Sequence, residues 1–371
     1  MTGAFAGYTK SAKYASVPFL YMLYNAIRRT QDMSTKVPNG KHTNVYTDPT
    51  DLPEQAYTAL ESFIGDVPMR SKVCICSIGA SAIAGEIMSD FADASSNVPI
   101  SVVHGAILPK WVDTDTAVIA MSYTGNTPET LSLYDQAVSR GCDIICITSG
   151  GGLMERALAN GNMLITVPEG LLPRSSLGYM LGSIASLFEK MGICNSKTEL
   201  MKALPSVKAF RDEILADEEN NQAAEIARTI SGKIPVIYSL MSMRTAAIRW
   251  KMQINENSRT IAFCGTIPEF NHNEIVGWTE DQTSNEFIPI ILCDDDSEDI
   301  LKCMTDTLLG ILESKSIEPY RFKARGSTDL EKNLISIILG DFVSLYLAHM
   351  KDVHPGDVDL DLGDGGYREF N

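Results

Sequence analysis

Short apolar runs alternate with longer helical patterns along much of the chain. In one part of the sequence the apolar runs lie at residues 73–78, 99–103, 117–121, 143–148 and 163–167. Amphipathic patterns at residues 82–91 and 128–140 predict helices between them, and residues 177–190 predict a buried helix. Strand-like runs separated by helices of about ten or more residues favour a parallel sheet covered on both faces.

A second series of the same kind begins near Lys233. Its apolar runs lie at residues 234–239, 260–264 and 288–293. Helical patterns accompany them at residues 246–255, 299–314 and 330–351. The two series share this rhythm but little sequence. We therefore predict an α/β protein with two subdomains, each a mainly parallel sheet flanked by helices in a three-layer α-β-α arrangement.

The predicted domain boundaries follow the changes of pattern. They are residues 1–65 (a helical N-terminal lead-in), 66–195 (first subdomain), 196–232 (a charged helical linker), 233–356 (second subdomain) and 357–371 (an acidic, glycine-rich tail). In the lead-in, Tyr21, Tyr24 and Asn25 interrupt the apolar residues 17–27, and two arginines follow. That pattern predicts a packed helix rather than a signal peptide.

Composition limits the kind of partner. The chain of 371 residues has a formal net charge of −16, with 44% hydrophobic and 21% charged residues. Nucleic acid and anionic membranes are poor partners for such a chain, because both require a basic surface. No apolar run approaches the ~20 residues of a membrane span. We expect a cytoplasmic protein that holds any anionic ligand with amides, hydroxyls and helix N-termini.

The cysteines and the tail do not predict a metal site. The eight cysteines are scattered, Cys74 and Cys76 alternate along one strand, and no CxxC pair or neighbouring histidine accompanies them. We expect free, buried thiols. The tail resembles a calcium loop, but Leu362 stands where the loop needs glycine and Arg368 where it needs glutamate. We expect neither a metal nor an organic cofactor.

Two strand-to-helix turns are candidates for binding a phosphate. The first is SIGASAIAG at residues 77–85, where the strand ends at Gly79 and Ser81 lies at or near the helix N-cap. Backbone amides and the helix dipole favour an anion at such a place. The signal is weak on its own, because a serine N-cap without a ligand is the more common arrangement.

The second turn, SYTGNTPET at residues 122–130, carries more hydroxyls. Ser122, Thr124 and Thr127 crowd one turn, and Gly125 permits close approach of a ligand. Pro128 suits the first helical position, which makes Thr127 the expected N-cap. Hydroxyls at the carboxyl ends of neighbouring parallel strands suit a phosphate. The alternative is an ordinary turn rich in serine and threonine.

Three further residues are candidates for the chemistry. Arg174 follows a proline-constrained turn and could stabilise a negative charge, or it could pair with an acid such as Glu169. Glu256 could be a general base, or it could cap its helix or pair with a cation such as Lys251. His272, one of five histidines, could transfer a proton or could be a hydrogen-bonded loop residue.

Taken in order, these segments resemble the sugar isomerase (SIS) domain family, and more closely the archaeal-type bifunctional phosphoglucose/phosphomannose isomerases. The glycine–serine turn at residues 79–81, the SYSGNTxET-like segment at 122–130 and the PR…LG element at 173–178 carry part of the resemblance. Its most specific parts are WKMQINEN at residues 250–257 and PEFNHNEIVGW at residues 268–278. The matches cover roughly residues 65–355.

The resemblance implies two SIS subdomains, a homodimer and an enzyme that interconverts glucose 6-phosphate and fructose 6-phosphate, with mannose 6-phosphate as a further candidate substrate. Glucose and mannose 6-phosphates differ only at C2 and give the same cis-enediol, so one carboxylate can serve both. The family's 6-phosphate site would here comprise Gly79, Ser81, Ser122, Thr124 and Thr127.

The resemblance also implies the catalytic roles. Glu256 would move a proton between C1 and C2. His272 would assist ring opening and would reach the site from the neighbouring subunit. Arg174 would stabilise the developing negative charge. Independently of the resemblance, Asn255 and Asn257 flank Glu256 in the sequence and could orient it.

The chain departs from the family pattern in two places. Ala80 stands where the family has a second glycine. No lysine follows Lys351, although the family places one in its last helix, and Gly356 stands near a family threonine. Lys351 or Arg368 is a candidate substitute. These departures keep two alternatives open: an SIS-type regulatory protein that binds a sugar phosphate without turnover, and an amino-sugar phosphate isomerase or deaminase.

Overall fold

The computed structural model describes residues 51–62, 65, 67, 69–217, 220–281 and 285–355. The predictions for residues 1–50, including the helix at residues 17–27, lie outside this part of the chain. The same holds for the tail beyond Pro355, which contains Gly356 and Arg368.

The first sheet consists of parallel strands in the spatial order β2-β1-β3-β4-β5. The strands are β1 (Lys72–Cys76), β2 (Ile100–Val103), β3 (Thr116–Met121), β4 (Asp143–Thr148) and β5 (Met163–Thr166). The two faces of β1 enter different apolar clusters, with Val73 and Ile75 on one side and Cys74 and Cys76 on the other. The sheet is therefore covered on both faces, which confirms the predicted three-layer arrangement.

The second sheet is also parallel, in the order β7-β6-β8-β9. Its strands are β6 (Ile234–Leu240), β7 (Phe263–Ile267), β8 (Phe287–Cys293) and β9 (Tyr320–Lys323). The prediction of a strand at residues 260–264 was wrong by three residues. The preceding helix ends at Ser258, and Arg259 follows it as the C-cap with a φ of 49°, so residues 260–262 connect the helix to the strand. The sequence pattern did not predict β9.

Helices cover both sheets. They are α1 (Leu52–Ser62), α2 (Ala80–Asp93), α3 (Pro128–Ser139), α4 (Gly151–Asn160), α5 (Leu177–Lys190), α6 (Ser196–Ala216), α7 (Gln222–Ile230), α8 (Arg244–Ser258), α9 (Glu274–Glu280), α10 (Asp299–Ser314) and α11 (Asp329–Met350). The predicted bounds of α5 and α10 are confirmed. The sequence did not predict α4, which buries only Leu153 and Ala157 and so shows little periodicity.

One large apolar cluster joins the two sheets. It contains Ile75 of the first sheet, Ile237 of the second and much of α11. Against α11, the indole of Trp250 lies where Gly340 lacks a side chain, and its Nε1 donates to Ser336 O at 2.6 Å. By length and composition α11 could cross a membrane, but 83% of its most apolar window is buried inside the protein. We therefore interpret α11 as the central core helix.

Candidate active site

The order of strands reverses between β1 and β3 in the first sheet, and the two phosphate-binding candidates follow these two strands. A crevice forms at such a reversal, because the connections on either side leave in opposite directions. The structure therefore brings the turns at residues 77–81 and 122–127 to one edge of the sheet. We call this pair of turns the hydroxyl cradle.

Gly79 and Ser81 form the first side of the hydroxyl cradle. Gly79 is the N-cap of α2 and has a φ of 62°, so Ser81 is the second residue of the helix rather than its cap. The side chain of Ser81 is buried, and its Oγ accepts a hydrogen bond from the Tyr123 amide at 3.0 Å. Because the oxygen accepts here, the hydroxyl proton can be donated to a ligand in the crevice.

Ser122 and Thr127 form the second side, and their hydroxyl oxygens lie 2.8 Å apart. The Gly125 amide donates to Ser122 Oγ at 3.1 Å. Thr127 is the N-cap of α3, with Pro128 in the first turn, as predicted. Thr124 is exposed at the tip, where its Oγ1 accepts from the Asn126 amide at 3.3 Å. The turn thus collects three hydroxyls beside a helix N-terminus, where an anion is favoured.

A third turn, at residues 150–152, packs against the second turn of the cradle, and the sequence analysis missed it. Gly125 has a φ of 72°, and a Cβ added there would lie 1.8 Å from Gly150 O. The side chain of Asn126 accepts from the Gly152 amide at 2.9 Å, and the Leu153 amide donates to Gly125 O at 2.9 Å. The three consecutive glycines at residues 150–152 are the signal that could have identified this contact.

Arg174 lies in a short 3-10 helix, Pro173–Ser176, and is almost fully buried. Its Nε donates to Asn257 Oδ1 at 2.9 Å, and its Nη2 donates to the carbonyl oxygen of Pro355. Its Nη1 lies 3.8 Å from Glu256 Oε2. The structure therefore joins two of the predicted catalytic residues, although 82 positions separate 174 from 256 in the sequence.

Glu256 lies in the last turn of α8, with 38% of its side chain exposed. The prediction that its two asparagine neighbours orient it was wrong. Asn255 Nδ2 donates to Lys251 O at 2.7 Å and to Ala262 O at 3.2 Å. Asn257 instead bonds Arg174 and Ser344. Since side chains at successive helix positions point in different directions, neither asparagine reaches the carboxylate.

Tyr123 connects the cradle to the segment that carries Arg174. Its hydroxyl donates to Pro168 O at 2.8 Å and accepts from the Leu171 amide at 2.9 Å. On the far side of Arg174, Gln55 Nε2 donates to Ser175 O at 2.9 Å. The cradle and Arg174 are therefore linked through Tyr123 and the segment at residues 168–174, and Glu256 adjoins this assembly through its 3.8 Å contact with Arg174.

His272 is not part of this assembly within one chain. It ends a 3-10 helix, Glu269–His272, that follows the carboxyl end of β7, and its side chain is exposed. α8 starts at the carboxyl end of β6 and returns to the amino end of β7, and these strands are parallel. Glu256 therefore lies near the amino ends of the strands of the second sheet, and His272 lies near their carboxyl ends.

The segment around His272 is nevertheless well anchored. Tyr238 is buried in the sheet and donates its hydroxyl to Glu274 Oε2 at 2.6 Å, while Trp278 Nε1 donates to the same hydroxyl at 3.0 Å. Burial and the bond to Glu274 raise the pKa of Tyr238 far above its ordinary value. Asn273 Nδ2 donates to Glu269 Oε1 at 2.8 Å. Glu269 and Glu274 therefore both hold the turn in place.

Lys351, one predicted substitute for the family lysine, lies near the end of α8. Its Nζ donates to Thr260 Oγ1 at 2.8 Å and to Arg259 O at 3.2 Å. The contact between Pro355 and Arg174 brings the last described residues directly to the site. The sequence analysis did not identify this backbone carbonyl, since the role of a carbonyl does not depend on residue type.

Comparison with known proteins identifies relatives over most of the chain. Residues 219–360 match the family described as the bacterial phospho-glucose isomerase C-terminal SIS domain. The bifunctional phosphoglucose/phosphomannose isomerase of Aquifex aeolicus is 35% identical over 314 residues, which cover 81% of this chain and 94% of that protein. The D-glucosamine-6-phosphate 4-epimerase of Sulfolobus acidocaldarius is 30% identical over 260 residues, covering 70% of this chain and 80% of that protein.

Solved structures show the same fold at low sequence identity. The C-terminal domain of glucosamine-fructose-6-phosphate aminotransferase from Francisella tularensis superposes with a TM-score of 0.67 at 14% identity. The superposition covers 85% of this chain and 99% of that domain. At this identity the likeness supports the fold alone.

Proposed function

The chain belongs to the bifunctional phosphoglucose/phosphomannose isomerase family, and we propose that it interconverts fructose 6-phosphate with glucose 6-phosphate and with mannose 6-phosphate. The observation that carries this proposal is the pairing of Arg174 with Glu256, 3.8 Å apart, in the assembly that contains the hydroxyl cradle. A carboxylate beside a buried guanidinium supplies a base and a stabilising cation at one place.

The cradle binds the 6-phosphate in this proposal. Ser81, Ser122 and Thr127 supply hydroxyls around the N-termini of α2 and α3, and Thr124 adds a hydroxyl at the open side. With a net charge of −16, the protein as a whole repels an anionic sugar. Local donors and helix dipoles must therefore provide the attraction.

Glu256 carries the proton between the two carbons. From an aldose it accepts the C2 proton, the electron pair forms the C1–C2 double bond, and the carbonyl oxygen becomes the enediolate oxygen. A proton passes from the O2 hydroxyl to O1, which moves the negative charge to O2; the C2 carbonyl then forms as the carbon-bound proton returns from Glu256 to C1, and this gives the ketose. The guanidinium of Arg174 stabilises the enediolate charge, and its burial makes that interaction stronger than it would be in water. Rotation about C2–C3 lets the same carboxylate serve both C2 epimers.

His272 assists ring opening from a neighbouring subunit in the proposed homodimer. Glu256 and His272 of one chain lie at opposite ends of the strands of the second sheet, which supports this arrangement, because a second copy can bring its own His272 to the Glu256 of the first. The exposed position of His272 also supports it, since a residue that serves a partner's site must be accessible in the single chain.

The function is tested with a coupled assay on fructose 6-phosphate without added metal, with separate readouts for glucose 6-phosphate and mannose 6-phosphate. Glu256→Gln should lower kcat by ~10³-fold, because it removes the base and keeps the shape. KM should change less than about threefold, because the cradle remains.

Glu199→Gln is the matched control for this variant. Glu199 has 32% of its side chain exposed and also pairs with a cation, Lys202, but it lies on α6. It should retain full activity. Unchanged turnover in Glu256→Gln would exclude Glu256 as the base, and absence of turnover in the unaltered protein would exclude the isomerase.

An amino-sugar phosphate substrate is a second candidate. The relative named a D-glucosamine-6-phosphate 4-epimerase favours it. The same protein should then convert glucosamine 6-phosphate, followed by proton NMR, and leave fructose 6-phosphate unchanged. A rise in melting temperature with either sugar phosphate but no conversion would instead indicate a binding protein.

A further inference from the structure

Two buried side chains of α11 face the segment that carries Arg174. Asp341 and Ser344 are separated by about one helical turn and therefore share a face of the helix. They are 1% and 0% exposed. Neither residue belongs to the motifs that identified the candidate site. Each begins a separate chain of hydrogen bonds that ends at Arg174.

The first chain holds the backbone of Arg174. Asp341 accepts two hydrogen bonds from Arg249, from Nε at 2.9 Å and from Nη2 at 3.0 Å. Arg249 Nη2 also donates to the carbonyl oxygen of Arg174 at 2.8 Å. The planar guanidinium of Arg249, locked by two bonds to one carboxylate, has little freedom to move. It thereby determines the position of the Arg174 carbonyl.

The second chain holds the side chain of Arg174. Ser344 Oγ donates to Asp341 O at 2.6 Å, so its oxygen accepts the bond from Asn257 Nδ2 at 2.9 Å. The amide of Asn257 is thereby oriented with Oδ1 toward Arg174 Nε, 2.9 Å away. In the reversed orientation the amide NH2 would face the Arg174 Nε–H donor, and the amide oxygen would face Ser344 Oγ, whose proton is already donated to Asp341 O, so both bonds would be lost. Asn257 is 2% exposed, so water cannot replace them easily.

We propose that Ser344, Asn257, Arg249 and Asp341 form a positioning frame that sets the Arg174 guanidinium relative to Glu256. The inference rests on the proposed function, since it assigns these residues to the geometry of that site. None of the four needs to touch the substrate. A buried ion pair contributes little to stability compared with apolar residues of the same size. Its contribution here is to geometry, and a displacement of about 1 Å can cost ~100-fold in rate.

Ser344→Ala tests the frame with the smallest change, because it removes one oxygen and leaves the core volume nearly intact. Ser336→Ala is the matched control. Ser336 lies on the same helix, is 0% exposed, and donates its hydroxyl to Lys332 O at 2.7 Å, away from Arg174. We expect kcat for fructose 6-phosphate to fall about tenfold in Ser344→Ala, with KM within about twofold, and no change in Ser336→Ala.

A second readout does not depend on turnover. The Arg174 Nε–H signal, assigned in a nitrogen-correlated NMR spectrum by its loss in Arg174→Lys, should exchange slowly with water in the unaltered protein. Ser344→Ala should accelerate this exchange by at least about tenfold, because Asn257 loses its fixed orientation. Ser336→Ala should not.

The outcomes separate the two proposals. The frame is supported if Ser344→Ala changes both kcat and exchange while Ser336→Ala changes neither. It is overturned if either readout in Ser344→Ala matches that of Ser336→Ala. If the unaltered protein converts no hexose 6-phosphate, the proposed function fails, and the exchange of Arg174 Nε–H alone decides whether the frame exists.

Discussion

At Gly125 the hydroxyl cradle depends on the absence of one methyl group. The backbone there adopts a φ of 72°, and the Gly150 carbonyl occupies the space that a Cβ would need. The same residue donates its amide to Ser122 and accepts from Leu153. The positive φ, the close contact with Gly150 and the two hydrogen bonds all involve Gly125, so a side chain at this residue would disturb all three.

Gly125→Ala should weaken sugar-phosphate binding by at least about tenfold, because relief of the clash must displace Ser122 or the turn beneath it. Gly161→Ala is the control. Gly161 has a similar φ of 68°, but nothing lies within 4 Å of its would-be Cβ. Both variants should lose about 1 kcal/mol of stability from the unfavourable φ.

Calorimetric titration with fructose 6-phosphate and denaturant unfolding measure the two effects separately. Equal affinity in the Gly125 and Gly161 variants would show that the cradle tolerates the methyl group. In that event the packing of Gly125 against the turn at residues 150–152 would not determine phosphate binding.

Between elements, an ionic cluster joins α2 of the first half to α8 of the second. Arg244 begins α8 and pairs with Glu86 and Asp90 of α2, and Thr245 donates to Asp90 at 2.7 Å. His104 Nε2 lies 2.6 Å from the other oxygen of Glu86. A cation at a helix N-terminus is unfavourable by itself, so the two carboxylates offset the dipole as well as joining the halves.

The pKa values of the two carboxyls shift in opposite directions. Burial tends to raise the pKa of Glu86, but the bonds from His104 and Arg244 outweigh it and hold that pKa below 4.5. Burial dominates at Asp90 and raises its pKa above 3.8 despite Thr245 and Arg244. Glu86 therefore contributes stability that is present above pH 4.5 and is lost as the pH falls through its folded pKa.

Glu86→Gln should accordingly destabilise the protein at neutral pH by about 1–3 kcal/mol, and the difference should shrink on acidification below the ordinary pKa of the carboxyl. For Asp90→Asn, the stability of the unaltered protein relative to the variant should instead be greatest at low pH and fall as the pH rises. A group whose pKa is raised in the folded state contributes stability below its unfolded pKa and loses that contribution as the pH rises through the folded pKa. Denaturant unfolding at several pH values between about 3 and 7, a range that includes the titration of both carboxyls, measures both trends. Parallel curves for the two variants would contradict the assigned shifts.

For the whole molecule, the proposed dimer predicts that two inactive chains can restore one active site. A Glu256→Gln chain retains His272, and a His272→Ala chain retains Glu256. If His272 acts across the interface, the mixed dimer contains one complete site and one site lacking both groups. Co-expression with two affinity tags should yield a mixed dimer with about half of the unaltered activity per dimer.

The parent homodimers, purified in the same way, provide the baseline for this experiment. Activity of the mixed dimer at the level of the parents would show that both groups act within one chain. Sedimentation of the unaltered protein at several concentrations establishes independently whether the dimer forms.

Much of the architecture follows from local sequence patterns. The apolar runs determine most strands within one or two residues, because a strand buried on both faces needs continuous apolar residues. The cradle turn was recognisable because its hydroxyls, Gly125 and Pro128 lie within seven residues, 122–128. β7 was misplaced because an apolar residue after a helix, such as Ile261, can belong to the connection as well as to a strand.

The sequence by itself determined the α/β fold class, each of the two turns of the cradle and the motifs that carry the family resemblance, since each is written in neighbouring residues. Only the tertiary structure decided what surrounds Arg174. Its partners Asn257 and Pro355 lie 83 and 181 positions away, and one of them acts through a backbone carbonyl. Such contacts depend on how α8, α11 and the chain end pack together, and packing is a property of the whole fold that no local pattern encodes.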